Sequence, residues 1–322
     1  MKSKVSVIIP FLNNSNVEAL NFLIIKIFKG RDFPDEILII YSGHARLNLS
    51  SFVIKLALKK KTIINKFYRK KMYPGEARNL GIDLSKNSVL GFLDLNTIPD
   101  NNWLRTAQRK LKNNILVCWG QTFYDAKKYR TKIIRASTMG SNLHRTIPGT
   151  IINKKIINIC GKFIENVRAG EDGDWAQRVD LHKIKTLTNS NWVVYKGLDE
   201  LNYFSTIKKW FIYYCHSKKL SHLLFQKNFY FWLFSLILIF ISYNWNGIVA
   251  GWDTTSPKYI PNITKIIASL FLFSYVFLRG ILIPIKKRTK LLFLLPFNFL
   301  GIFLFSFFLD TAKILAFFNF KK

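Results

Sequence analysis

Glu171, Asp172 and Asp174 place three carboxylates within four residues of a chain whose formal net charge is +31. Crowded like charges raise the proton affinity of one of them. A carboxylate so raised takes up a proton near neutral pH, as a general base must. The cluster equally suits the first turn of a helix, whose N-terminus favours anions. On these residues alone the structural reading is the simpler one. Arg178, four residues beyond Asp174, can pair with the cluster, and Trp175 suits a packed core as well as a platform for a sugar ring. Asp94 ends a second apolar run, and Asn96 follows two residues later. A carboxylate and an amide oxygen so spaced can ligate a hard cation such as Mg or Mn, or Asp94 can simply cap the turn. The histidines and the three cysteines (Cys118, Cys160, Cys215) show no ligand or disulfide spacing, which points to reduced core thiols.

The elements that must carry these residues alternate. Val5–Ile9, closed by Pro10, reads as a buried strand, and Val17–Phe28 as a helix. Strands at Glu36–Ile40, Thr62–Phe67 and Val89–Asp94 then alternate with helices at Leu49–Leu58 and Gly75–Ser85. This order predicts an α/β fold with a mostly parallel sheet and helices on both faces. Ligands bind at the carboxyl ends of such strands. Those ends carry Pro10 to Asn13, Tyr41 to His44 and Asp94 to Asn96, which makes Pro10, Asn13, Tyr41 and Ser42 candidate ligand-binding residues. Leu116–Phe123 and Pro148–Ile152 read as further strands, and Gly140 to Ile152 as a stretch for acceptor recognition.

Beyond residue 222 the chain is dominated by Phe, Leu and Ile. Apolar runs at Phe229–Val249, Ile263–Ile285 and Leu291–Phe308 approach or exceed the ~18–20 residues that cross a bilayer core. The third contains Pro296 and stops before Asp310, so two to three spans are predicted. The expected division is therefore 1–222 and 223–322, with residues 205–224, rich in aromatics and lysine, as an interfacial helix. Lys286, Lys287, Arg288 and Lys290 between the second and third runs, with Lys218 and Lys219 before the first, place these loops and the front domain in the cytoplasm. Met1–Lys4 followed by a short run with Pro10 does not read as a signal peptide. No acidic residue occurs between Glu36 and Glu76, a stretch that holds Lys55, Lys59, Lys60, Lys61, Lys66, Arg69, Lys70 and Lys71. Such a surface beside membrane spans is expected to face anionic lipid head groups; no nucleic-acid recognition motif accompanies it.

Four segments together resemble the inverting family 2 glycosyltransferases of GT-A fold. Val7–Asn13 is similar to their opening strand and donor loop, and Gly75–Ile82 to their Ala-Arg-Asn-x-Gly-Ile segment. Phe92–Asn96, followed by Trp103 and Leu104, lies where they carry Asp-x-Asp. Cys160–Phe163 followed by Gly170–Arg178 resembles their Gly-Gly-Phe and Gly-Glu-Asp-x-Asp. The resemblance covers about residues 4 to 200.

The resemblance implies a GT-A-like, Rossmann-related front domain followed by transmembrane helices. It implies a single displacement in which an acceptor hydroxyl attacks the anomeric carbon of a nucleotide-sugar. Asp172 would then be the base. Pro10, Asn13, Tyr41, Ser42, Arg78 and Asp94 would lie on the donor side, and Glu171, Asp174, Trp175 and Arg178 on the acceptor side or around the base. Asp94 and Asn96 would hold a divalent cation, Mg or Mn. Two positions depart from the pattern. Tyr41-Ser42-Gly43-His44 lacks the carboxylate often found after the second strand, and Asn96 stands where a second aspartate is usual. The expected activity is transfer of a sugar to a lipid-linked or polysaccharide acceptor in cell-surface glycan synthesis, at the inner (plasma) membrane of a bacterium. The alternative is a degenerate, non-catalytic membrane protein that uses the old donor pocket for binding or scaffolding.

Overall fold

The structure is a computed structural model that describes residues 3–12, 16–43, 46–111, 115–141, 143–217, 220 and 227–318, the side chains of 217 and 227–232 apart. The candidate donor residue Asn13, and His44, lie outside the described residues. The chain divides into two compact units, 1–131 with 142–201 and 132–141 with 202–322. The second of these compact units begins at Asn202 and also takes residues 132–141.

The first unit opens with β1 (Val5–Phe11), α1 (Val17–Phe28), β2 (Glu36–Tyr41), α2 (Ser51–Lys59), β3 (Ile63–Tyr68), α3 (Pro74–Leu84) and β4 (Val89–Phe92). Every residue of β1, β2 and β4 is buried, which explains apolar runs without alternation. Successive side chains point to opposite faces. Val5, Val7, Ile9 and Phe11 pack with Leu20, Leu23, Ile24 and Ile27 of α1. Ile8, Leu38 and Ile40 pack on the other face with Ala77 and Ile82 of α3. Asn16 caps α1 by accepting a hydrogen bond from the Ala19 amide at 2.8 Å, and Ser50 caps α2 through the Val53 amide at 3.3 Å.

The strands β3-β2-β1-β4 lie side by side and parallel. The sheet then continues through β5 (Thr97–Pro99), β6 (Val117–Tyr124), β7 (His144–Asn153), β8 (Thr186–Thr188) and β9 (Val193–Tyr195). β7 runs antiparallel to both β4 and β6, and β5 antiparallel to β9, so the sheet is mixed rather than mostly parallel. The βα alternation that enforces parallel pairing stops after β4, and β5 directly follows β4 with only a turn between. The stretch Gly140 to Ile152, expected to recognise an acceptor, is for the most part β7, inside the sheet. The helices between and after these strands are α4 (Trp103–Lys110), α5 (Tyr129–Thr138), α6 (Lys155–Cys160) and α7 (Glu171–Leu181).

The basic stretch falls on α2 and on β3, the edge of the sheet. Lys55, Lys59, Lys61, Lys66, Arg69, Lys70 and Lys71 are all exposed. Lys66, on the edge strand itself, also discourages another chain from adding to the sheet.

The second unit contains α8 (Tyr203–Ser217), α9 (Lys227–Ala250), α10 (Ile263–Lys286) and α11 (Asn298–Phe318). Segments of α9, α10 and α11 are long and apolar enough to cross a membrane, three in all among the described residues. The third departs from the run read in the sequence: the helix starts at Asn298, after Pro296, and continues through Asp310 to Phe318. The charge that seemed to end the run has a partner inside the unit. Arg279 of α10 meets Asp310 through Nε at 2.9 Å and Nη2 at 3.1 Å, and the Tyr275 hydroxyl donates to Asp310 Oδ2 at 2.8 Å. A charge at membrane depth is tolerated when paired within the bundle.

The expected interfacial helix starts at Tyr203 and packs along α11, its Tyr203 ring 5.0 Å from Phe305. Residues 218–219 and 221–224 of that segment lie outside the described residues. Residues 137–141 join the same unit: Ser137 Oγ donates to the Ile302 carbonyl at 3.3 Å, and Lys287 Nζ donates to the Thr138 carbonyl at 2.6 Å.

Candidate active site

The strand register sets one side of the site. Phe11, Tyr41 and Tyr68 are aligned partners at the carboxyl ends of β1, β2 and β3. Pro10 is buried in β1 opposite Ile40. The Ser42 amide donates to the Phe11 carbonyl at 3.2 Å, which closes the two strand ends together. Tyr41 is buried, its ring 5.4 Å from that of Tyr68. These are the positions from which a parallel sheet presents backbone to a ligand.

Asp94 begins the turn after β4. The Thr97 amide donates to its carbonyl at 3.0 Å, and its own amide donates to Thr97 Oγ1 at 3.2 Å. Its side chain remains 39 % exposed. Asn96 hydrogen-bonds the Tyr195 hydroxyl, and the Asn96 carbonyl accepts from the Lys196 amide at 2.9 Å. Burial pushes the Tyr195 phenol above its ordinary range; the Asn96 hydrogen bond opposes this, and Asp94 and Glu200 add to it. Tyr195 was not read from the sequence, since β9 is three residues long and 99 positions downstream of Asn96.

The acidic cluster forms the first turn of α7, as a helix N-terminus favours. Two glycines permit it. Gly170 sits at φ 97° immediately before the helix, in the left-handed region that side chains disfavour. Gly75, in the first turn of α3, lies so close to the Ile164 carbonyl that a Cβ would stand 2.4 Å from it, with the Glu171 side chain next nearest. The two helix starts therefore meet at a spacing only glycine allows.

Arg78 joins the two halves. Its Nη1 donates to Glu171 Oε1 at 2.7 Å and its Nη2 to Asp94 Oδ1 at 3.1 Å. Its side chain is 4 % exposed, and that of Glu171 7 %. The guanidinium, expected on the donor side, is enclosed between the Asp94 and Glu171 carboxylates. Burial works against its charge, but Asp94, Glu171 and Asp172 outweigh it and hold the group firmly protonated. Burial, and then Asp172, push the Glu171 carboxyl up, against the pull of Arg78. Asp172, next in sequence, is exposed, and its Oδ1 accepts from the Gly173 amide at 2.8 Å.

The remaining residues of the acidic stretch have partners of their own. Arg178 donates to Asp174 Oδ2 through Nε at 3.0 Å and Nη2 at 2.7 Å, and also to the Lys162 and Cys160 carbonyls. Through these carbonyls Arg178 fastens α7 to the end of α6 and the loop after it. Trp175, expected on the acceptor side, is fully buried. Its Nε1 donates to the Gly161 carbonyl at 3.1 Å, and its ring packs 5.5 Å from Trp119 and 5.2 Å from Phe163. Trp175→Ala is therefore expected to cost about 3–5 kcal/mol of stability and to lower the unfolding temperature markedly. A sugar platform would instead show a raised acceptor KM at an unchanged unfolding temperature.

Among the described residues no group of three His, Cys, Asp or Glu side chains is placed to hold a metal ion. Asp94 gives one oxygen to Arg78, and the Asn96 amide is engaged by Tyr195. What is left is one Asp94 carboxylate oxygen and the side-chain oxygen of Asn96, a fraction of the six-ligand shell of Mg. That fits the common arrangement in which one or two side chains and the substrate phosphates share the ion. It does not fit a preformed all-protein cage.

No family model and no curated protein matches the sequence. Among solved structures, a mannosyltransferase from Pyrobaculum calidifontis, PcManGT, in complex with GDP-Man and Mn2+, is similar over 100 % of this chain and 89 % of its own, at 11 % identity and a TM-score of 0.54. The likeness is one of fold: this chain has an α/β fold resembling a GT-A-like glycosyltransferase, with long apolar helices at its C-terminal end.

Proposed function

We propose that this chain is a membrane-anchored, inverting glycosyltransferase of the family 2 type, moving a sugar from a nucleotide-sugar to a lipid-linked or polysaccharide acceptor for cell-surface glycan synthesis. The observation that carries the reading is the Arg78 bridge. It fixes Asp94, at the end of a parallel strand, to Glu171, the residue directly before an exposed Asp172. A donor group and a base held on one rigid frame are what a single displacement needs.

In this reading Asp172 takes the proton of the acceptor hydroxyl as that oxygen attacks the anomeric carbon. The bond to the nucleoside diphosphate breaks, and inversion follows from the single attack. Glu171 and Arg78 are positioning residues. Pro10, Tyr41 and Ser42, with Asn13, hold the nucleoside at the strand ends. A divalent cation, Mg or Mn, would be held by Asp94 and Asn96 together with the donor phosphates, and when bound supplies positive charge for the leaving diphosphate. The PcManGT complex holds both a nucleotide-sugar and Mn2+, which supports this assignment of ligand class. The basic loop from Lys286 to Lys290 favours a cytoplasmic α/β unit at the plasma membrane.

Binding tests the donor side without turnover. Purified full-length protein is heated with UDP, GDP or dTDP, each with Mn2+, with Mg2+ or with chelator. One nucleotide at about 100 times its Kd should stabilise by about 2.7 kcal/mol, with most of the gain lost on chelation and in Asp94→Asn. Stabilisation by none of the three, or a gain indifferent to both chelator and Asp94→Asn, would count against the donor site described.

A further inference from the structure

We propose that the turn after α10, together with Lys313 of α11, is a binding site for the phosphate headgroup of an anionic lipid. The turn carries Lys286, Lys287, Arg288 and Lys290. Lys287 lies within electrostatic range of Arg279, Asp310 and Lys313, so the turn and the buried pair form one charged cluster. Its balance is one-sided. Asp310 is the acidic side chain there, already held by Arg279 at 2.9 Å and by Tyr275 at 2.8 Å. Lys287 and Lys313 make no ion pair within 4.0 Å among the described residues. Lys287 Nζ is aimed by a 2.6 Å hydrogen bond to the Thr138 carbonyl, and the Lys313 ammonium stands 4.8 Å over the Tyr214 ring.

A second observation points the same way. Thr289, inside the turn, is buried, and its hydroxyl has no hydrogen-bond partner among the described residues. A buried hydroxyl left unpaired is costly and calls for an explanation. Fixed cations at the end of a membrane-length helix, beside an unpaired polar group, match a phosphate on a lipid, and basic pockets between spans bind such headgroups. Charge stacked against itself at this depth is otherwise unfavourable. The site belongs to the helical unit alone and stands whether or not the α/β unit is a transferase.

The test measures lipid retention by detergent-purified full-length protein using native mass spectrometry. The probes are phosphatidylglycerol, a polyisoprenyl phosphate, the matching neutral polyisoprenol and inorganic phosphate. The double variant Lys287→Gln/Lys313→Gln keeps an N–H donor at each position and leaves the Arg279–Asp310 pair intact; Lys313→Gln alone serves if the double variant does not fold. At about 1 kcal/mol per cation near a headgroup, the double variant should bind the phosphate lipids roughly 30-fold more weakly and the neutral lipid unchanged. Whichever phosphate lipid binds more tightly identifies the source. Equal retention of the polyisoprenol and its phosphate, unchanged affinity in the variant, or inorganic phosphate binding as tightly as the lipids would each overturn the proposal.

Discussion

Asp172→Asn is expected to lower sugar transfer by roughly two to four orders of magnitude, the usual weight of a positioned general base, while the protein unfolds at its normal temperature. The side chain is exposed and its one hydrogen bond is local, from the Gly173 amide. An asparagine oxygen can keep that contact, so the loss should be in kcat, with donor binding unaltered. Glu171→Gln and Asp174→Asn behave differently on this account. Glu171 is buried on Arg78, and Asp174 pairs with Arg178, so both act first on stability. A variant of Asp172 with ordinary turnover would move the base elsewhere.

Arg78→Met is the second large effect, and it is one of stability. It leaves the Glu171 carboxylate buried without its cation and deprives the Asp94 side chain of its partner. Breaking a buried pair from one side costs about 3–5 kcal/mol, because the remaining charge stays uncompensated. Arg78→Lys should recover only part of this, since a single ammonium does not reproduce a planar fork that donates to two carboxylates at once. Adding Glu171→Gln to Arg78→Met should restore some of the lost midpoint, since it removes the stranded charge. Thermal unfolding of the four proteins measures this directly. An Arg78→Met midpoint equal to that of the parent would show that the bridge does not hold the two helix starts together.

The parts of this fold that could be read from sequence are those where one local pattern has one structural meaning. β1 and β2 are apolar at every position because both faces are covered, and the carboxylates of α7 sit where a helix start wants them. What could not be read depends on partners far along the chain. Arg78 meets one carboxylate 16 residues away and another 93 away, and no spacing rule distinguishes such a bridge from a donor contact. Trp175 carries no mark that tells a core ring from a sugar platform until Trp119 and Phe163 are seen against it. Asp310 looked like the end of an apolar run because Arg279, its partner, lies in the preceding helix. The antiparallel pairing of the sheet's second half could not be read either: β6 and β7 are legible as strands but carry no local pattern that sets their direction, and β5 and β9 are three residues each, too short for periodicity to register.

The central claim is that the frame around Arg78 carries out sugar transfer. The direct measurement is nucleoside diphosphate release by purified full-length protein from a panel of UDP-, GDP- and dTDP-sugars, with membrane lipid extract as acceptor source and Asp172→Asn alongside. The account predicts release from one donor that depends on the lipid extract and disappears in Asp172→Asn. Silence across the panel from folded protein that still binds a nucleoside diphosphate, or release that persists in Asp172→Asn, would contradict it and favour a binding or scaffolding role for the same pocket.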